Sequence, residues 1–73
     1  MDPSRAVLAL SVVQGLMDED PHAERMAAEA FDSTEEAAEA YAYLVGYLVE
    51  ELAVARHTQR QTVLTELMSR LRA

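Results

Sequence analysis

This chain of 73 residues contains no cysteine, lysine, asparagine, isoleucine or tryptophan, and only two glycines and two prolines. Each absence excludes something. Without cysteine there can be no disulfide and no thiolate zinc site, two of the usual staples of a very small domain. With histidine only at positions 22 and 57, a histidine-rich structural metal centre is not expected. Gly15 and Gly46 both fall inside helical patterns, so no glycine-rich loop is available to cradle phosphate. No Gly/Ser linker, internal repeat or low-complexity stretch divides the chain, which reads as one domain over 1–73. Lysine, asparagine and isoleucine have AT-rich codons. Their absence beside abundant alanine is the usage of a GC-rich genome, and a bacterial origin is the expectation.

Basic charge is also scarce. Thirteen acids face six arginines, for a net charge of −7. A binder of duplex nucleic acid needs a basic face to neutralise phosphates, so direct nucleic-acid binding is not expected. Long apolar runs are missing as well: the uncharged stretch Ala40–Val49 is about half a membrane span. At the N-terminus, Asp2 and the acidic run Asp18-Glu19-Asp20 are wrong for a secretory leader. A cytoplasmic location is expected, with no membrane association.

What is present is apolar content at 51% against 26% charged residues, a folding rather than a disordered composition. The apolar residues recur at helical spacing throughout, and no segment alternates as a strand would. The fold class is therefore all-α, a small bundle of three to four helices over about 3–19, 21–31, 33–56 and 58–72. Asp2-Pro3 and Asp20-Pro21 each pair a capping side chain with a residue suited to the first helical position. Ala6, Ala9, Leu10, Val13, Leu16 and Met17 form the inner stripe of the first helix, with Leu8 and Val12 outside it. Ala23, Met26, Ala27, Ala30 and Phe31 form that of the second. Before the third helix either Asp32…Glu35 or Ser33…Glu36 makes a capping box.

The third helix is the central packing element. Ala37, Tyr41, Leu44, Val45, Leu48, Leu52 and Ala55 form its main stripe. Ala40, Tyr43, Tyr47 and Val54 form a second, and small residues, Ala42, Gly46, Val49 and Ala53, a third. A helix so nearly apolar all round has to be surrounded by others. Thr58-Gln59-Arg60-Gln61 reads as a fresh capping box that starts a fourth helix with the stripe Val63, Leu64, Leu67, Met68 and Leu71. The rival is one continuous helix over 34–72, about 58 Å long.

A chain this short lies near the size at which one core barely offsets the entropy of folding. Completion of the core as a homodimer is the expected remedy. Leu10, Val13 and Met17 of the first helix, with Leu44, Leu48 and Leu52 of the third, are the candidate dimer core. Tyr43, Tyr47 and Val54, with Leu64, Leu67, Met68 and Leu71 of the fourth helix, are the candidate interaction residues, tyrosine being suited to interfaces by its apolar body and polar tip.

Candidate chemistry is thin. Glu19-x-x-His22 has the spacing of a di-iron ligand pair, but Pro21 breaks the helix that would present it. His57 has no nucleophile with an orienting acid nearby in sequence. No catalytic residue, cofactor or metal site is expected. The expected function is that of an acidic helical interaction or regulatory module that binds a protein partner without catalysis. One alternative is an inhibitor or nucleic-acid mimic built on the acidic helix junctions around Asp18–Asp20 and Asp32–Glu39. Another is a ligand-binding protein or small enzyme with an intersubunit pocket lined by Glu51, Tyr47 and His57.

Overall fold

The computed structural model describes residues 3–73. They form four helices and no strand: α1 (Pro3–Met17), α2 (Ala23–Glu29), α3 (Thr34–Ala55) and α4 (Arg60–Arg72). α3 is the hub. It packs against α1 and against α4, while α2 packs only against α1. The fold is a helical bundle of open form, with a radius of gyration of 13.9 Å where a compact chain of this length would have about 11 Å.

Both long helices stop without glycine. Glu19 and His57 each take a left-handed backbone conformation with φ of 55°. Around His57 the amide of Thr58 donates to the carbonyl of Ala53 at 3.0 Å, and that of His57 donates to Val54 at 3.2 Å. Around Glu19 the amide of Asp20 donates to Gly15 at 3.0 Å and that of Glu19 to Leu16 at 3.2 Å. This paired pattern is the Schellman stop, which satisfies the last carbonyls of a helix. It settles the rivalry in the sequence in favour of a break between α3 and α4. It also shortens the first helix, expected to reach Glu19, to Met17.

The start signals are realised unequally. The expected cap on Asp2 lies outside the described residues. Asp20 does act as a cap, its Oδ1 accepting from the amide of His22 at 2.9 Å. A tight turn precedes the regular helix, so α2 begins at Ala23 rather than Pro21. It also ends early, at Glu29, because the chain bends over 30–33 to reach the extended cap at Ser33. Of the two candidate boxes there, Ser33…Glu36 is the one used: Ser33 Oγ accepts from the amide of Glu36 at 3.1 Å. The Glu36 carboxylate pairs with Arg5 Nε at 2.9 Å, tying the start of α1 to the start of α3. The box expected at Thr58…Gln61 is not formed. Gln59 is the N-cap of α4 and makes no side-chain cap bond, because Thr58 is already committed to closing α3.

The interior is narrow and rich in alanine. Ala6, Ala9 and Val12 are the buried residues of α1, and Ala40, Leu44, Val49 and Ala53 those of α3. One cluster joins Ala9 to Ala40 and Leu44, with Phe31 and Tyr41 packed against it. Those two rings meet edge to face, 5.9 Å between centroids. A second joins Val49 and Ala53 to Val63 of α4. No polar or charged side chain is buried among the described residues.

The inner faces therefore differ from the sequence stripes. Val12, placed outside the stripe of the first helix, is one of the two largest fully buried side chains, Val63 being the other. Leu10, Leu16 and Met17, placed within it, are exposed. On α3 the small-residue stripe divides: Val49 and Ala53 face α4, whereas a Cβ at Gly46 would meet nothing within 4 Å. The reason is steric. Two backbones pack most closely through alanine, so the smallest residues set the contact line and the leucines are left beside it.

Two outcomes follow for stability. Val12→Ala and Val63→Ala should each cost about 2 kcal/mol, whereas Leu16→Ala should stay within about 0.5 kcal/mol; urea unfolding of the three variants checks the order. His57→Gly removes the steric penalty of a left-handed Cβ and should stabilise by about 1 kcal/mol, read as an upward shift in Tm.

Candidate interaction surface

Large apolar side chains lie mostly on the outside. Val7, Leu10 and Met17 on α1, Val45, Tyr47, Leu48 and Val54 on α3, and Met68 and Leu71 on α4 are all exposed. Scattered apolar residues are normal on a protein surface, but contiguous ones mark contact sites. Some of them gather into two features.

The first is a groove of about 260 Å³ between α1 and α3, walled by Pro3, Ala6, Val7 and Leu10 on one side and by Tyr43, Leu44 and Tyr47 on the other. Ala6, Val7 and Leu10 stand three, four and seven residues after Pro3, one face of a helix. Tyr43 and Tyr47 stand one turn apart. Glu39 precedes Tyr43 by four residues and Glu51 follows Tyr47 by four, so one ridge of α3 carries two tyrosines with a carboxylate at each end. Neither Glu39 nor Glu51 forms an ion pair among the described residues.

The second feature is the outer stripe of α4. Val63 turns inward and is buried, while Leu64, Leu67, Met68 and Leu71 are exposed, Leu71 to 85%. α4 is held to α3 by the Val63 cluster and by two surface ion pairs, Arg56 Nη1 to Glu66 Oε2 at 2.8 Å and Arg60 Nη1 to Glu50 Oε1 at 3.0 Å. Exposed pairs of this kind contribute about 0–1 kcal/mol each. Arg70 and Arg72 in the last turn have no acidic partner among the described residues. Leu64 also borders a shallow trough with Tyr41, Ala42, Val45 and Gly46.

Of the candidate interaction residues, the fold thus joins Tyr43 and Tyr47 in one groove and Leu64, Leu67, Met68 and Leu71 in one stripe. Val54 is exposed on α3 and lines neither groove nor trough. The candidate dimer-core residues are dispersed: Leu44 is buried, Val13 half-buried, and Leu10, Met17, Leu48 and Leu52 exposed within one chain. Val7 belongs to the groove although it did not stand out in the sequence, and Pro3, read there only as a helix start, joins it. The signal for them is their one-face spacing with Leu10, which becomes visible only once α3 is known to lie alongside.

The remaining candidates converge only in part. Tyr47 and Glu51 border a common hollow with Tyr43, Gly46, Glu50 and Arg60, but His57 is not part of it. Glu19 sits in the left-handed stop of α1 and His22 in the turn that leads into α2. No group of three or more histidine, aspartate or glutamate side chains suited to a metal ion occurs among the described residues. Among the acidic junctions, Asp20 is engaged as a cap and Glu36 with Arg5. No described helix is long and apolar enough to cross a membrane. No protein-family model matches the sequence, and no curated protein or solved structure is significantly similar to it.

Because the chain has no tryptophan, its emission reports on tyrosine alone. In dilute solution the double variant Tyr43→Phe/Tyr47→Phe should lose most of the emission that acrylamide can quench, while Tyr41, packed on Phe31, supplies the protected remainder.

Proposed function

We propose that this protein is a non-catalytic interaction module that works as a homodimer and acts by binding a protein partner. The observation that carries the reading is the surface the single chain leaves uncovered. A compact folded monomer of 8.1 kDa exposes about 4,500 Å². This chain exposes 5811 Å², an excess of about 1,300 Å² over that scaling. A standard protein interface covers about 800 Å² on each partner, and obligate dimers cover more. The excess is of the size a dimer interface would remove.

The chemistry of the uncovered surface supports the same reading. Leu10, Met17, Leu48 and Leu52, exposed in one chain, are the residues a second copy would shield, alongside Leu44 and Val13. Their burial would add the apolar contacts that the alanine-rich interior lacks. The tyrosines and the α4 stripe are the residue types enriched at contact surfaces. The groove between α1 and α3 is walled by apolar residues and two tyrosines with no charged side chain in its lining, which suits recognition.

Sedimentation equilibrium of the wild-type chain at micromolar concentration should give twice the chain mass. Leu48→Asp, at a position exposed in the single chain, should give one chain mass or an unfolded species. An undiminished dimer in the variant would overturn a seam through Leu48, and a wild-type monomer throughout would overturn the homodimer.

A further inference from the structure

We infer that the α1–α3 groove receives α4 of a second copy, so that the dimer is built from two reciprocal helix-in-groove contacts. This rests on the homodimer proposed above but moves its seam: of the residues named there only Leu10 and Leu44 line the groove, and Met17, Leu48 and Leu52 lie outside both contacts.

Length and spacing match. The α1 wall of the groove runs from Pro3 to Leu10, through Ala6 and Val7. The exposed stripe of α4 runs from Leu64 to Leu71, through Leu67 and Met68. Both follow the spacing i, i+3, i+4, i+7, the pattern by which an amphipathic helix engages an apolar groove. Both span about 10 Å along a helix. Tyr43 and Tyr47 supply the opposite wall, with the flat apolar bodies and polar tips that suit a contact anchor.

Charge also matches. α4 carries Arg60, Arg70 and Arg72 against the single acid Glu66, a local charge of +3 − 1 = +2. With the whole chain at −7, the other residues together carry −7 − 2 = −9. Glu39 and Glu51 stand on the tyrosine ridge one turn beyond Tyr43 and Tyr47, about 18 Å apart, and α4 ends in Arg70 and Arg72, which together face one of the two carboxylates; all four have no ion-pair partner among the described residues. Opposite charges at the rim of an apolar contact set orientation and suppress wrong partners. Within one chain α4 already lies on α3 through Val63, and it makes no contact with α1. Leu67, Met68 and Leu71 are exposed, while Leu64 borders the trough on α3 of its own chain. A two-fold axis makes the arrangement self-consistent, since each copy offers one groove and one helix.

The test uses two full-length charge-reversed chains. Chain one carries Arg70→Glu and Arg72→Glu; chain two carries Glu39→Arg and Glu51→Arg. Alone, each should dimerise about tenfold or more weakly than wild type, because like charges then meet in both contacts. Mixed in equal amounts they should form a heterodimer of near wild-type affinity, because both contacts are again matched. General repulsion gives a different result: chain two has a net charge of −7 + 4 = −3, and lower net charge alone would tighten its self-association. Circular dichroism checks that each variant stays helical. A second measurement exploits the cysteine-free background. Val7→Cys and Leu67→Cys, placed in separate chains of distinguishable mass, should be joined by a short bismaleimide, and each chain alone should not. A wild-type dimer in which the reversed chains associate normally, or in which only like positions cross-link, overturns the inference and leaves the homodimer standing. A wild-type chain that is monomeric at all concentrations overturns both.

Discussion

The contact between Ala9 and Ala40, both wholly shut off from solvent, sets how closely α1 and α3 approach, and most of the fold follows from it. Two methyl groups facing each other allow the backbones nearer than leucines would. That closeness directs Val12 inward and leaves the larger side chains, Val7, Leu10 and Tyr43, standing at the edges of the contact. A groove lined by these larger residues, with Ala6 and Leu44 as its buried members, runs beside that contact. The interior gains proximity and loses volume, because alanine buries little apolar area compared with the leucines it displaces. A fold of this kind has a thin interior and a rich exterior by construction.

α3 links two separate clusters along one axis. Its first half meets α1 through Ala40 and Leu44, and its second half meets α4 through Val49 and Ala53. Since α2 touches only α1 and α4 only α3, no helix closes the bundle into a ring. Both peripheral helices are thus supported on one side. α4 has a single apolar anchor at Val63 with flanking ion pairs, and such an element sits at the low end of local stability. A second copy laid across its outer stripe would change that more than any contact available within the chain.

Local chemistry was legible in the sequence to a good extent. The capping residues Asp20 and Ser33, the order of four helices and the break near His57 all follow from short-range rules of backbone satisfaction. The inner faces were less legible. Periodicity marks a helix as apolar, but when most of the circumference is apolar it does not say which line points inward. Val12 and Leu16 illustrate this: the larger stripe containing Leu16 looks like the better core, and steric closeness chose the line of Ala6, Ala9 and Val12. The end of the first helix was read to within two residues from Pro21, but not the left-handed conformation of Glu19, which propensity disfavours and the turn into Asp20 and Pro21 imposes. The groove residues Pro3 and Val7 acquire meaning only from the neighbour across from them, and tertiary neighbours are what a single sequence does not display.

The left-handed residue at 57 has one more consequence. A side chain with a Cβ pays a steric penalty of about 1–2 kcal/mol in that conformation, a sum that a straight helix through the same point would not incur. The angle between α3 and α4 is thereby held by a modest margin rather than by an obligatory kink. A particle 36 Å in its longest dimension and a rod of about 58 Å differ in the few residues 56–59, among which His57 alone is left-handed. Shape in this molecule is a tunable quantity, and position 57 is where descent with modification could most cheaply turn a folded-back bundle into an extended spacer.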